Sequence, residues 1–239
     1  KEFYKNYFKI GISGLVGGIG LGVAMITFIY SITNTTAAVT LLCLAAMPFF
    51  TAILAYLFLK EKISINVWIS IVMATIGIII MALGNSEKNS LLGFIFGITS
   101  SIGFSVFSVT LRWRKETPKF TTVAVAGLFC FVFATIVILI TNQPFFSTSY
   151  NSSMFSLHGT LVCLGLILYS IGSKAIPAAE LTLLSLTEVI GGIFWVWLPL
   201  FGVNEIPSSN TIVGGFFLFV SLVYYSLIMR WNKRYIALN

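Results

Sequence analysis

Glu188 is the residue with the most chemistry to offer, because the stretch from 181 to 204 holds no other charged side chain. A carboxylate in such surroundings titrates a proton, pairs with a cationic group of a solute, or protonates and makes a structural hydrogen bond to a neighbouring helix. Helical spacing puts Ser185 and Thr182 on the face of Glu188, three and six residues back. Trp195, seven residues on, falls on the same side, as a stacking platform for a solute or as an interfacial anchor; Trp197 reads as an anchor. Tyr30, Asn34 and Tyr169 stand at helix ends, where they bind, gate, cap a helix or sit at the membrane interface. Glu188, Ser185, Thr182, Trp195, Tyr30, Asn34 and Tyr169 together are the candidate substrate-binding set. Pro48 falls in the middle of an apolar run, where a missing N–H kinks a helix and frees a carbonyl, either toward a solute path or for packing alone.

Other chemistries find little support. His158 is the single histidine; it is a solvated helix-end residue or a proton relay, and one His without partners makes no metal site. Cys43, Cys130 and Cys163 show no paired spacing and read as small buried hydrophobes. The run Gly17-Gly18-Ile19-Gly20-Leu21-Gly22 resembles a nucleotide loop only superficially, since no strand precedes it. Gly14, Gly18 and Gly22 make a small-residue ridge on a helix, and Gly93, Gly97, Ser101 and Ser105 make another; both read as close-packing faces. No metal, cofactor or catalytic residue is expected. An embedded enzyme would need clustered His, Asp or Glu, and the chain has no Asp and one His.

The elements that must position Glu188 follow from composition. Of 239 residues, 58% are hydrophobic and 9% charged, and mean hydropathy is +1.00. A soluble domain carries about a quarter charged residues, so this surface faces lipid. Residues 10–59 contain no charge, which suits two spans of about 20 residues separated by the polar string Ser31 to Thr36. Spans are expected at 8–31, 36–59, 66–84, 91–113, 120–141, 154–173, 179–202 and 209–229. The fold class is therefore all-α, a polytopic membrane protein with about eight transmembrane helices. The runs are too long for barrel strands and do not alternate.

Charge supports this count. With eight spans, Lys1, Lys5, Lys9, Lys60, Lys62, Arg112, Arg114, Lys115, Lys119, Lys174, Arg230, Lys233 and Arg234 share one side, and Lys88 alone lies on the other. The positive-inside rule makes that side cytoplasmic, with both chain ends there. The net charge of +7 is thus a topology signal, and no nucleic acid partner is implied.

Thr40-Leu41-Leu42-Cys43-Leu44 recurs as Thr182-Leu183-Leu184-Ser185-Leu186, and Tyr30-Ser31-Ile32 as Tyr169-Ser170-Ile171; Glu61 and Glu205 follow in the two copies. The repeated spans are five apart, so the copies point in opposite directions, as in inverted-repeat secondary transporters. A five-helix repeat divides the chain into 1–86, three helices of the first copy, and 87–239, the second. It implies ten helices in the complete protein, two of them preceding Lys1.

Asn34-Thr35-Thr36-Ala37-Ala38, Leu41-Leu42, Pro48, Glu61 and Gly77 resemble the first EamA domain of the drug/metabolite transporter superfamily. Pro177-Ala178-Ala179-Glu180, Leu183 to Leu186, Glu188, Trp195-Val196-Trp197-Leu198, Glu205-Ile206-Pro207-Ser208 and Gly214-Gly215 resemble the second. A departure is Ile193, which follows Gly192 where the family commonly has Pro. The resemblance implies a carrier in the plasma or inner membrane. Its partners are the lipid bilayer, a small-molecule substrate and protons as a coupling ion, and a homodimer is also open to it. The function expected is secondary transport, export or exchange, of a small organic metabolite or drug-like compound by alternating access. The competing reading is a membrane scaffold or sensor without transport.

Overall fold

The computed structural model describes residues 10–84, 91–113, 118–145, 148–198 and 209–238. Lys1, Lys5, Lys9, Lys88, Arg114, Lys115 and Glu205 to Ser208 lie outside the described residues, as do the side chains of Lys119, Ile193, Trp197, Arg230, Lys233 and Arg234. The described elements are helical throughout: α1 Gly11–Asn34, α2 Ala37–Leu44, α3 Met47–Leu54 with a π turn at Ala55–Leu59, α4 Ile65–Gly84, α5 Leu91–Trp113, α6 Lys119–Thr141, α7 Ser149–Gly172, α8 Ala178–Leu184, α9 Leu186–Trp197 and α10 Ser209–Leu238. Five stretches are long and apolar enough to cross a bilayer alone: Gly11–Asn34, Val39–Leu59, Leu91–Trp113, Phe120–Thr141 and Ser149–Gly172. Ile65–Ile80 and Ile212–Ile228 are shorter apolar stretches, and α8 with α9 completes the expected set. The chain is a polytopic all-α membrane protein.

The expected second and seventh spans are each broken. Pro48 sits in the first turn of α3, just past the break between Leu44 and Met47. It has no N–H for the carbonyl of Leu44, four residues back, so the helix ends there and restarts where a proline costs nothing. The second break, at Ser185, has no proline. There the Ser185 hydroxyl donates to the carbonyl of Thr182 at 2.7 Å, a local bond that competes with the regular helix ladder. The two broken spans lie antiparallel, α3 against α8 and α9 against α2.

Small residues set how closely the spans approach. α1 runs between α5 and α6. A Cβ on Gly18 would fall 2.5 Å from Val125 Cγ1 on α6, and one on Gly103 would fall 2.6 Å from the Gly20 carbonyl oxygen. A Cβ on Gly97 would meet Cys43 Cβ at 2.7 Å. Both ridges read from the sequence are therefore contact faces, as small residues between membrane helices are. α4 and α10 form a second close pair: Gly77 abuts the Gly214 carbonyl, and the Ser221 hydroxyl donates to the carbonyl of Ser70 at 2.7 Å.

The largest apolar cluster lies among α2, α3, α4, α8, α9 and α10, and includes Leu42, Met47, Ile71, Leu183, Leu186 and Leu218. A smaller one, with Leu21, Phe107, Leu111 and Ala126, lies among α1, α5 and α6. α6 buries Thr122 and Ala126 near its start, and α7 buries Ser170 near its end. Beyond these positions both helices are exposed along most of their length, an apolar surface suited to lipid. The cysteines divide accordingly. Cys43 is buried, Cys130 on α6 is half-buried, and Cys163 on α7 is exposed, because an apolar run facing lipid gives a small hydrophobe no protein to bury against. Arg112, Glu61, Ser173 and Ile176 meet at one end of the bundle, called here the basic end because Lys60, Lys62 and Lys174 adjoin it in sequence.

Candidate functional site

Glu188 occupies the first turn of α9, immediately past the break at Ser185. The partial positive charge of a helix N-terminus favours a carboxylate there. Its side chain is exposed, whereas the adjacent Val189 is 1% exposed. The Tyr169 hydroxyl on α7 lies within electrostatic reach of it.

Tyr169 belongs to a compact polar and aromatic group. Ser108 Oγ donates its single hydrogen to the carbonyl of Phe104 at 2.9 Å, so the 2.7 Å contact between Ser108 Oγ and the Tyr169 hydroxyl has the tyrosine as donor. The Tyr169 ring lies 5.1 Å from Phe104, edge to face, and 6.0 Å from Phe107, stacked. An exposed carboxylate in an otherwise apolar span is suited to a proton or an organic cation.

The other candidates are distributed differently from the stripe expected on an unbroken helix. Thr182 is fully buried and donates to the carbonyls of Ala178 and Ala179 in its own helix. Ser185 is half-buried and its hydroxyl turns back to Thr182. These two build the break, and Glu188 is the member of the three that is exposed. Trp195 is exposed, its ring 6.3 Å from Phe194. Tyr30 packs against Phe96 at 5.4 Å, and Asn34 Nδ2 donates to the Tyr30 carbonyl at 2.7 Å, closing the C-terminus of α1. Tyr30 and Asn34 thus sit at the end away from Tyr169. His158 is exposed on α7. Among the described residues no three His, Cys, Asp or Glu side chains are grouped to hold a metal ion.

Three further features join distant parts of the chain. The hydroxyl of Ser101 on α5 donates to the carbonyl of Cys43, and that of Ser105 is shared between the carbonyls of Ser101 and Met47. Cys43 and Met47 stand on either side of the first break. Ser108 meets Tyr169. Arg112 pairs with Glu61, Nε to Oε1 at 2.7 Å. Of these, only Ser101 and Ser105 carry a spacing signal, four residues apart, and by itself that signal indicates packing.

Residues 3–83 match the EamA-like transporter family. An uncharacterized transporter of Helicobacter pylori is 25% identical over 196 residues, covering 78% of this chain and 63% of that protein. Another, of Clostridium kluyveri, is 25% identical over 237 residues, covering 93% of this chain and 74% of that protein. The chain thus spans less than two thirds of the length of the Helicobacter pylori relative. A solved crystal structure of a protein superposes with a TM-score of 0.62 at 15% identity, over 95% of this chain and 82% of the other, which is a likeness of fold.

Proposed function

We propose, from the premise that this is a transporter chain of the EamA type, that it carries a small organic metabolite or drug-like compound across the membrane by alternating access, as an exporter or exchanger. The observation that carries this reading is Glu188, an exposed carboxylate in the first turn of a half-helix, on one of two antiparallel broken spans. Broken spans crossing near the bilayer centre are where secondary transporters hold solutes and coupling ions. On this reading residues 1–86 and 87–239 are parts of two oppositely oriented repeats. Glu188 holds in turn a proton and a cationic group of the solute, with Trp195 and Tyr169 flanking it. Ser185 and Thr182 shape the break, and Tyr30 and Asn34 close the corresponding end of the first repeat. The basic end faces the cytoplasm of a plasma or inner membrane.

The test is a solute screen in proteoliposomes with and without a pH gradient. Glu188→Gln is expected to lower gradient-driven flux by at least about tenfold, the scale of losing a general acid-base or charge partner, with the protein still monodisperse. Full flux in that variant overturns the assignment of Glu188. Absence of flux for every solute, with the protein folded, favours the scaffold or sensor reading.

A further inference from the structure

We propose that Arg112 and Glu61 form a latch that holds the basic end of the bundle shut and releases when the space around Glu188 opens to that side. This rests on the transport reading above. One guanidinium joins three separate segments. Its Nε donates to Glu61 Oε1 at 2.7 Å, just past the π turn that ends α3. Its Nη1 donates to the carbonyls of Ser173 and Ile176, at 3.1 and 2.9 Å, in the turn between α7 and α8. Arg112 itself lies in the last turn of α5. The turn it grips leads into α8, and α3 packs against α8. The latch therefore ties together the basic ends of both broken spans. A path from Glu188 to that end requires these segments to part.

The chemistry suits a contact that is made and broken. The two side chains are 25% and 22% exposed. A fully buried pair would be costly to separate, because each charge would be left dry, and a fully exposed one would hold little. The Ser173 carbonyl lies at the C-terminus of α7, where the helix dipole favours a cation. A fork of N–H donors satisfies a carboxylate and two carbonyls at once, which an ammonium point charge matches poorly. Glu61 is aimed by unusual backbone. The π turn at Ala55–Leu59 ends in Lys60 at φ 53°, a left-handed conformation that non-glycine residues adopt at a cost, and the Glu61 N–H returns to the carbonyl of Ala55 at 3.3 Å.

A second layer lies one helical turn further in. Ser108 precedes Arg112 by four residues and Tyr169 precedes Ser173 by four, and the two are hydrogen-bonded at 2.7 Å above the ion pair. Phe104 and Phe107 pack on the Tyr169 ring. Ser170 beside them buries a hydroxyl that has no partner, as does Thr51 on α3. On this reading, parting the α7–α8 turn from Arg112 wets the Ser170 hydroxyl, which sits one turn before the gripped Ser173, and this favours the open state. At the other end of the molecule the described residues contain no ion pair.

The experiment uses the chain in oriented proteoliposomes with Cys43, Cys130 and Cys163 replaced by Ala and Ser185→Cys as a reporter, labelled by a membrane-impermeant maleimide from either side. Glu61→Gln and Arg112→Ala are each expected to raise the labelling rate from the basic end by about fivefold and to lower it from the opposite side, the shift in a two-state population on losing a partly exposed ion pair. Arg112→Lys is expected to fall between. An unchanged rate from the basic end in both Glu61→Gln and Arg112→Ala, with melting temperatures equal to the parent, overturns the latch and makes the pair a static tie. Labelling from neither side in any variant overturns the transport reading together with the latch.

Discussion

Replacing Gly103 by Ala tests whether helix contact through bare backbone holds α1 against α5. The added Cβ would lie 2.6 Å from the Gly20 carbonyl oxygen, 3.1 Å from the Ala24 nitrogen and 3.2 Å from the Ala24 Cβ. Ordinary contact needs about 3.5 Å, so the helices must part by nearly an ångström. The first two atoms are main chain and cannot swing aside, so α1 must move as a body. That motion also stretches the bond from Ser100 Oγ to the Ala24 carbonyl, 2.8 Å long. Overpacking of this kind costs about 1–3 kcal/mol. Gly127 on α6 is the control, because a Cβ there meets nothing within 4 Å. Gly127→Ala should gain up to about 1 kcal/mol from helix propensity. Equilibrium unfolding of both variants in mixed micelles, titrated with sodium dodecyl sulfate, should separate them by about 1–3 kcal/mol, because the propensity gain is common to both and the overpacking is not. Equal stabilities would refute the backbone-contact reasoning. Gly22→Ala should be milder than Gly103→Ala, since its closest obstacle is the Phe129 ring edge at 2.6 Å, which can rotate away.

Ser101→Ala and Ser105→Ala should each cost about 1–3 kcal/mol by leaving the Cys43 or Met47 carbonyl without its donor from α5; Ser156→Ala, on an exposed face and bonded within its own helix, should stay within about 0.5 kcal/mol in the same titration. Tyr169→Phe keeps the rings against Phe104 and Phe107 and removes the bond to Ser108. It should cost about 1 kcal/mol in unfolding, and on the proposed reading it raises maleimide labelling of the Ser185→Cys reporter from the basic end. A stability loss with no change in labelling would assign the hydroxyl to packing alone.

The spans are legible in the sequence because each apolar run is close to 20 residues and is bounded by charge or polar turns. The expected span at 91–113 coincides with α5, and that at 120–141 begins one residue inside α6. The expected start at 154 misses the first turn of α7, where Ser149 to Ser153 look like loop but form helix behind a cap, Thr148 accepting from the Asn151 N–H. Pro48 announces a disturbance, since proline acts on a helix through its own missing N–H. The break at Ser185 has no such sign, because serine hydroxyls turn back to the chain inside unbroken helices as well, as at Ser105 and Ser108 in α5, so the residue type alone does not mark a break. The stripe of Thr182, Ser185 and Glu188 presumes a helix that continues through Ser185, and it does not. The latch is hidden for a different reason. Glu61 and Arg112 are 51 residues apart, and charge at a helix end signals topology equally well with or without a partner.

The break also bears on why a carboxylate is tolerated at position 188. In the middle of an unbroken span, an ionised side chain costs about 2.5–3.5 kcal/mol on insertion scales. Moving it to the first turn of a half-helix recovers about 0.3–1 kcal/mol, and up to about 2 kcal/mol in partly buried geometry, from the helix dipole. The remainder is not met by any cationic side chain among the described residues, whose one ion pair is gathered at the basic end with Arg112. On the proposed reading, that shortfall is what a proton or a solute cation supplies. A second anion at the site would deepen it, so a solute carrying a net negative charge should bind more weakly than its neutral ester, and Glu188→Gln should remove most of that difference. Competition by the paired acid and ester against labelling of the Ser185→Cys reporter would show it, and an acid that protects better than its ester would refute the electrostatic reading.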